Sequence, residues 1–253
     1  MIELRRGRKR TLPPSRKYSR GLLREKELSA SRIICRSLTC CSGPAALVTF
    51  LIGPGDNPEK FLVHKEVACY HSKVFDAAFN NTAFVEGQTQ TYKMDDTSVR
   101  AFRLLAQWLY FKKLEIAQLK EDWRKDITVA GAENQSLAEL WVLADKLGIS
   151  ELQNVTIESM HKIQVAVNRV PVQSFKYIYN NTSQTSPLRR YVVELSAIRL
   201  NTECFSKFSD QFPHGILIDI VTFYSTRHWA LKDSNKNINI SDYRVPDDID
   251  GTA

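Results

Sequence analysis

The sequence has no long apolar run, and no stretch approaches the ~18 apolar residues that a membrane-spanning helix needs, so no membrane partner is expected. Cysteines are few, five in 253 residues, with no Cys-x-x-Cys pair and no histidine at metal-ligand spacing beside them. Reduced thiols in a cytosolic or nuclear protein are therefore expected. The amino terminus leads into basic residues instead of the apolar core of a signal peptide, so secretion is not expected.

A catalytic constellation is also missing from the sequence. Gly53 and Gly55 are followed neither by a third glycine nor by the Lys-Ser/Thr pair of a phosphate-binding loop. His64 and His71 have no nucleophile or carboxylate at a spacing that catalysis or metal binding would need. The sequence therefore predicts no enzyme, no cofactor and no metal site, and we expect His64 to bond the backbone at the turn from strand to helix.

Outside the first 40 residues, the chain has no large excess of charge of one sign. The first 40 residues hold twelve lysines and arginines against three glutamates, whereas the rest of the chain holds 23 basic and 25 acidic residues. A nearly neutral remainder offers no general nucleic-acid surface, so nucleic acid is expected as a partner only through the basic segment. The composition of residues 1–43 cannot support a packed core and predicts a mostly disordered tail.

One basic cluster in this tail is a candidate nuclear import signal or phosphate contact, because clustered cations attract acidic partners. The alternatives are a solvated tail without a specific reader and a mitochondrial presequence, which an Arg- and Ser-rich start resembles. The cluster consists of Arg5, Arg6, Arg8, Lys9 and Arg10.

Apolar runs bounded by turn residues predict a small sheet. Residues 46–52 are apolar and β-branched and stop at Gly53-Pro54-Gly55, and residues 60–63 return as a second strand, which predicts a hairpin. Residues 89–94 alternate and predict a third strand, and residues 113–116 predict a short fourth one.

Apolar residues at steps of three and four predict helices around that sheet. Ser72 opens a helix, and the capping residues 95–98 open another. Residues 117–135 are polar and are expected to form a loop or insertion. Further helices are predicted over residues 137–147 with Gly148 at the end, after Ser150, near 175–179, from Pro187 and over 213–224. The residues expected to pack together from three of the helices are Phe75, Phe102, Leu105 and Trp141.

The order of these motifs resembles the BTB/POZ family. Residues 61–79, where a strand ends in Val-His-Lys and a two-helix unit closes with Ser-x-x-Phe, resemble the family's strand-helix-helix core. Residues 47–53 resemble its first strand, and Phe84-Val85-Glu86 resembles the Phe-x-Glu that follows the second helix. The remaining pieces resemble the third and fourth helices and an extension common in fungal members, at residues 101–110, 143–149, 177–182 and 187–190.

The resemblance implies an α+β protein with the BTB/POZ fold, a small β-sheet packed against a helical bundle, followed by a helical C-terminal extension. It divides the chain into the basic tail at residues 1–43, a BTB/POZ domain over residues 44–165 and the extension over residues 166–253. The positions that carry the family's structural signature are His64, Lys65, Ser72, Phe75, Leu109, Tyr110 and Asp145.

Phe84 and Glu86 are the residues with a functional interpretation. An apolar side chain in a polar loop, two positions before a carboxylate, suits docking, because the apolar group anchors a partner and the charge orients it. In cullin-binding members of the family, an apolar-x-Glu motif at this place contacts the cullin scaffold. The alternative is that Phe84 folds back onto the core as a lid while Glu86 is solvated.

The resemblance implies a protein–protein interaction module located in the nucleus or the cytoplasm, and two hypotheses follow. The first is a substrate-recruiting adaptor of a cullin-type ubiquitin ligase, and the second is a nuclear scaffold or transcription-associated protein that uses the basic tail. Two departures from the family put homodimerisation in question. Ala45 and Ala46 stand where many members carry an Asp, and the tail has only a poor apolar face, formed by Leu22, Leu23 and Leu28.

Overall fold

A computed structural model describes residues 46–120, 123, 127–227 and 239–246 of the chain. All of these residues belong to one compact unit, which begins at Ala46. The predicted tail over residues 1–43 lies outside the described residues, and so does its basic cluster.

Three strands form one mixed sheet in the order β2-β1-β3. Strand β1 (Leu47–Ile52) pairs antiparallel with β2 (Glu59–His64), as the predicted hairpin requires, and parallel with β3 (Thr91–Met94). Alternate side chains of β1 are fully buried, because successive residues of a strand point to opposite faces of a sheet. The predicted strand over residues 113–116 is wrong, since these residues have no regular structure.

Ten helices accompany the sheet in the described part of the chain. In chain order they are α1 (Lys65–His71), α2 (Lys73–Asn80), α3 (Val85–Thr89), α4 (Val99–Phe111), α5 (Ile127–Lys146), α6 (Ser150–Val167), α7 (Phe175–Asn181), α8 (Pro187–Arg199), α9 (Thr202–Lys207) and α10 (His214–Arg227). Short 3-10 turns lie at Ala117–Leu119, Val172–Ser174, Ser209–Gln211 and Ile240–Tyr243.

The ends of several helices follow from their capping residues. The Ser98 hydroxyl accepts the backbone N–H of Ala101 at 3.2 Å and caps α4. Gly148 ends α5 with a φ of +63°, a left-handed conformation in which glycine has no Cβ to clash. Both signals are local, which explains why the sequence predicts the start of α4 and the end of α5 correctly.

The hydrophobic core joins the sheet to the helices. The Phe50 ring lies 5.0 Å from the rings of both Phe75 and Phe102, measured between centroids. Leu105 and Trp141 are buried in the same core. The predicted packing of Phe75, Phe102, Leu105 and Trp141 is therefore confirmed.

The polar stretch predicted as a loop over residues 117–135 is helical from Ile127 onward. Glu133 explains this difference, because its carboxylate accepts the backbone N–H groups of Ala117 at 2.6 Å and Gln118 at 3.0 Å. Gln118 in turn donates from Nε2 to the Ala130 carbonyl. Polar residues here join the helix to the preceding 3-10 turn instead of marking a loop.

The C-terminal helices pack onto α5 and α6 by apolar and polar contacts. Phe175 of α7 and Leu188 of α8 are fully buried in the common core. The Asn154 side chain of α6 accepts the backbone N–H of Val245 at 2.8 Å and donates to its carbonyl at 3.0 Å. Among the helices of the described residues, none combines the length and the apolar character that crossing a bilayer requires.

Candidate functional site

Phe84 is the residue that immediately precedes α3, and 49% of it is exposed to solvent. Its neighbour Val85 is more exposed still, at 68%. The aromatic ring therefore does not fold back as a closed lid on the core, which was the alternative considered from the sequence. An exposed pair of apolar residues at a helix start is available for contact with another molecule.

Hydrogen bonds hold the Phe84 loop in one conformation. The Asn81 carbonyl accepts the backbone N–H of Phe84 at 3.1 Å, and the Asn81 side chain accepts that of Ala83 at 2.9 Å. Gln88 donates from Nε2 to the Thr82 carbonyl at 2.9 Å. A loop fixed in this way loses little conformational entropy when a partner binds it.

Gly87 lets this loop pack closely against the end of α2. A Cβ atom at this position would lie 2.1 Å from the carbonyl oxygen of Asn81, far inside van der Waals contact. Only glycine fits such an approach of two backbone segments. Gly87 is not among the residues predicted from the sequence, although a glycine directly after a Phe-x-Glu motif is a signal of close packing.

Phe84 and Glu86 line one open depression between α2, α3 and β3, with a volume of about 480 Å³. Two charged side chains of opposite sign, Lys73 and Glu86, share this lining with the apolar residues. The other lining residues are Val74, Ala77, Ala78, Phe84 and Tyr92. The structure thus brings the two predicted partner-binding residues together on one surface.

The pKa of Tyr92 is affected by burial and by the charges around this depression. Burial raises the pKa of the Tyr92 hydroxyl, and the negative charges of Glu86 and Asp96 raise it further. The phenol therefore stays protonated at physiological pH and can donate a hydrogen bond. Glu86 and Tyr92 line the same depression.

His64 and Tyr110 of the predicted signature contact each other directly. The backbone N–H of His64 donates to the Tyr110 hydroxyl oxygen at 3.0 Å, and a second hydrogen bond of 2.8 Å joins that oxygen to Nδ1 of the His64 ring. The prediction that the His64 side chain bonds the backbone is wrong. Its hydrogen-bond partner is the Tyr110 hydroxyl. The pair connects the end of β2 to α4.

Lys65 and Ser72 secure the ends of α2. Lys65 donates from Nζ to the Phe79 carbonyl at 2.9 Å, close to the last residue of the helix. The Ser72 hydroxyl accepts the backbone N–H of Phe75 at 3.3 Å and donates to the Leu147 carbonyl at 2.8 Å. These contacts link the two-helix unit to the end of α5.

The remaining signature residues have different roles. Phe75 and Leu109 are fully buried in the core. Asp145 is exposed and accepts a hydrogen bond from Nε2 of Gln153 at 3.0 Å. The signature residues thus contribute buried side chains and hydrogen bonds between neighbouring elements.

His71 is packed against the Trp108 ring, with 5.2 Å between the ring centroids. Burial and then the Lys112 cation lower the pKa of His71 to about 4, so its ring is neutral at physiological pH. In the part of the chain that the structure describes, no three His, Cys, Asp or Glu side chains are grouped as metal ligands.

Comparison with known proteins assigns the fold. The family model described as "BTB/POZ domain" matches residues 48–164. The chain contains a BTB/POZ domain. This domain includes the sheet, Phe84, Glu86 and the signature residues, and it mediates interactions with other proteins. The BTB/POZ fold with C-terminal helices, expected from the resemblance, is confirmed.

A similar solved structure is the "BTB domain of zebrafish PATZ1", with 16% sequence identity and a TM-score of 0.33. The likeness covers 58% of this chain and 99% of that chain. A search of curated proteins found no match. The predicted domain limits, 44–165 and 166–253, stay predictions, as does the import role of the basic cluster.

Proposed function

We propose that this chain is a substrate-recruiting adaptor that binds the cullin scaffold of a ubiquitin ligase through Phe84 and Glu86. The observation that supports the proposal is a half-exposed aromatic ring beside a carboxylate in an open, largely apolar depression of the BTB/POZ domain. Covering the exposed half of such a ring recovers about 1 kcal/mol of transfer free energy.

The chemistry of the depression specifies the complementary partner surface. An apolar pocket on the partner would receive the Phe84 ring, and a basic side chain at its rim would pair with Glu86. Lys73, on the same surface, would meet an acidic side chain. Because Gly87 and the bonded loop hold Phe84 in place, the contact requires little reorganisation.

Affinity purification followed by mass spectrometry tests this function. The tagged wild-type chain should recover a cullin from cells, and the Phe84→Ala variant should not. Leu62→Ala is the matched control, because Leu62 is an exposed apolar residue that does not line the depression. Equal recovery of a cullin with wild type and Phe84→Ala, or no cullin with either, would reject the adaptor function.

The charge distribution favours a second candidate, a nuclear scaffold or transcription-associated protein. Twelve lysines and arginines in the first 40 residues suit an import receptor or nucleic-acid phosphates. In the same purification, this candidate predicts chromatin proteins that disappear when residues 1–43 are deleted. The scaffold function implies a nuclear location, and the adaptor function implies a location in the nucleus or the cytoplasm.

The likeness of residues 177–182 and 187–190 to the fungal extension extends the proposal to a fungal-type BTB protein. These residues lie in α7, its end and α8, beyond the part of the chain that the family model matches. Size-exclusion chromatography with light scattering on the full chain would distinguish a homodimer from a monomer.

A further inference from the structure

A second depression lies where the C-terminal ends of α6 and α8 meet the first half of α5 and helix α9. It is a cleft of about 390 Å³, within the size range of ligand sites in proteins. Its apolar lining comes mainly from Val170, Pro171, Leu200 and Phe208. No acidic side chain of the described residues lines it.

The charged residues of the cleft are two arginines, Arg169 just beyond α6 and Arg199 at the end of α8. Neither forms an ion pair or a side-chain hydrogen bond with a described residue. The two helix ends contribute roughly half a negative charge each, which is less than two full positive charges. The balance of charge in the cleft therefore favours an anionic ligand.

Gln164 supplies a third feature of the cleft. It lies in the last turn of α6, lines the cleft and is only 3% exposed. Its side-chain amide forms no hydrogen bond with any described residue and reaches the surface of the cleft, so it is available to a ligand. A primary amide offers both an acceptor oxygen and N–H donors, which match a peptide group, whereas a phosphate could use only the donors.

We infer that this cleft binds a short acidic peptide segment of a partner protein. The arginines would hold an Asp or Glu carboxylate of that segment, the apolar lining would receive a neighbouring apolar side chain, and Gln164 would pair with its backbone. The cleft shares no lining residue with the depression at Phe84. The inference is therefore independent of the proposed cullin contact.

Selection of a phage-displayed random octapeptide library on the full chain tests the inference. Enriched peptides should carry an acidic residue next to an apolar one. Fluorescein-labelled synthetic copies should lose about tenfold or more in affinity for an Arg169→Gln/Arg199→Gln double variant, measured by fluorescence polarisation. Arg100→Gln is the control, because Arg100 is an exposed arginine outside the cleft and should leave the affinity unchanged.

Cys204 and Gln164 provide two further measurements. Cys204 lines the cleft, so a bound peptide should slow its alkylation, as measured by mass spectrometry of the digested chain. Gln164→Leu removes an amide that has no hydrogen-bond partner among the described residues, so the thermal midpoint should hold while peptide affinity falls about tenfold. A selection without binders or without acidic enrichment would overturn the inference, as would unchanged affinity of the double variant or unchanged Cys204 alkylation.

Discussion

The hydroxyl group of Tyr110 lies 2.8 Å from Nδ1 of His64 and also accepts the backbone N–H of that residue. One phenol thus satisfies two polar groups of the residue that joins β2 to α1. Tyr110→Phe should lower the free energy of unfolding by about 1–2 kcal/mol, since both groups lose a partner in a partly buried site. Denaturant unfolding measures this.

Tyr70→Phe is the control for that experiment. Tyr70 is exposed, and its hydroxyl forms no hydrogen bond with a described residue. Its replacement should leave the midpoint of unfolding unchanged. If Tyr110→Phe were equally neutral, the contact with His64 would contribute nothing to stability.

Phe75→Ala should destabilise the domain by roughly 3–5 kcal/mol, the usual range for truncating a buried phenylalanine. The ring is fully buried and contacts the rings of Phe50, Phe79 and Tyr92, so its loss leaves a cavity among aromatic neighbours. A thermal melt compares the variant with Val74→Ala, a more exposed neighbour on α2. An unchanged midpoint for Phe75→Ala would contradict the central place of this ring in the core.

Phe84→Ala should weaken binding to a purified cullin by about 2 kcal/mol or more without changing the midpoint of unfolding. The loss exceeds the transfer free energy of the exposed half of the ring, because the partner's pocket is also left unfilled. Glu86→Ala should reduce binding less, and its effect should shrink as salt rises. Calorimetry at two ionic strengths distinguishes the two contributions, and wild-type affinity in both variants would oppose the proposal.

The free energy of unfolding should decrease as the pH falls from about 6.5, the ordinary pKa of histidine, toward 4. The folded state holds His71 neutral with a pKa of about 4, so in this window the unfolded chain binds more protons than the folded one. Stability therefore rises with pH across the window. Denaturant unfolding at several pH values should show a shallower dependence for His71→Gln than for wild type.

Deleting residues 1–43 should leave the midpoint of unfolding nearly unchanged, because the compact unit begins at Ala46. The same deletion should alter the cellular distribution of a fluorescent reporter if the basic cluster acts in import. Unfolding of the truncated chain would indicate a structural role around Leu22 to Leu28, and an unaltered distribution would reject the import role.

Much of this fold is visible in the sequence, because its signals are local. Ser98 before an apolar helix and Gly148 after one define helix ends within a few residues of chain. The start of α5 was missed for the opposite reason. Its first turns contain polar residues whose partners are distant in sequence, such as Ala117 for Glu133, 16 residues away. The spacing of apolar residues cannot reveal such polar contacts.

The candidate surfaces were predictable to different degrees. The Phe-x-Glu motif is contiguous, so the sequence could locate Phe84, but its exposure depends on how the loop packs at Gly87. The cleft around Gln164 was not visible in the sequence. Its two arginines are 30 positions apart and come together only because two helices end at the same place.

The hydrogen bonds between Asn154 and Val245 span 91 positions of the chain, from inside the BTB/POZ domain to a point far beyond it. A fragment cut at residue 164 would keep every residue that identifies the family yet lose both bonds. It would also expose core surface that Phe175 and Leu188 cover. The recognisable domain is thus smaller than the unit that folds, and fragments for expression should extend through residue 246.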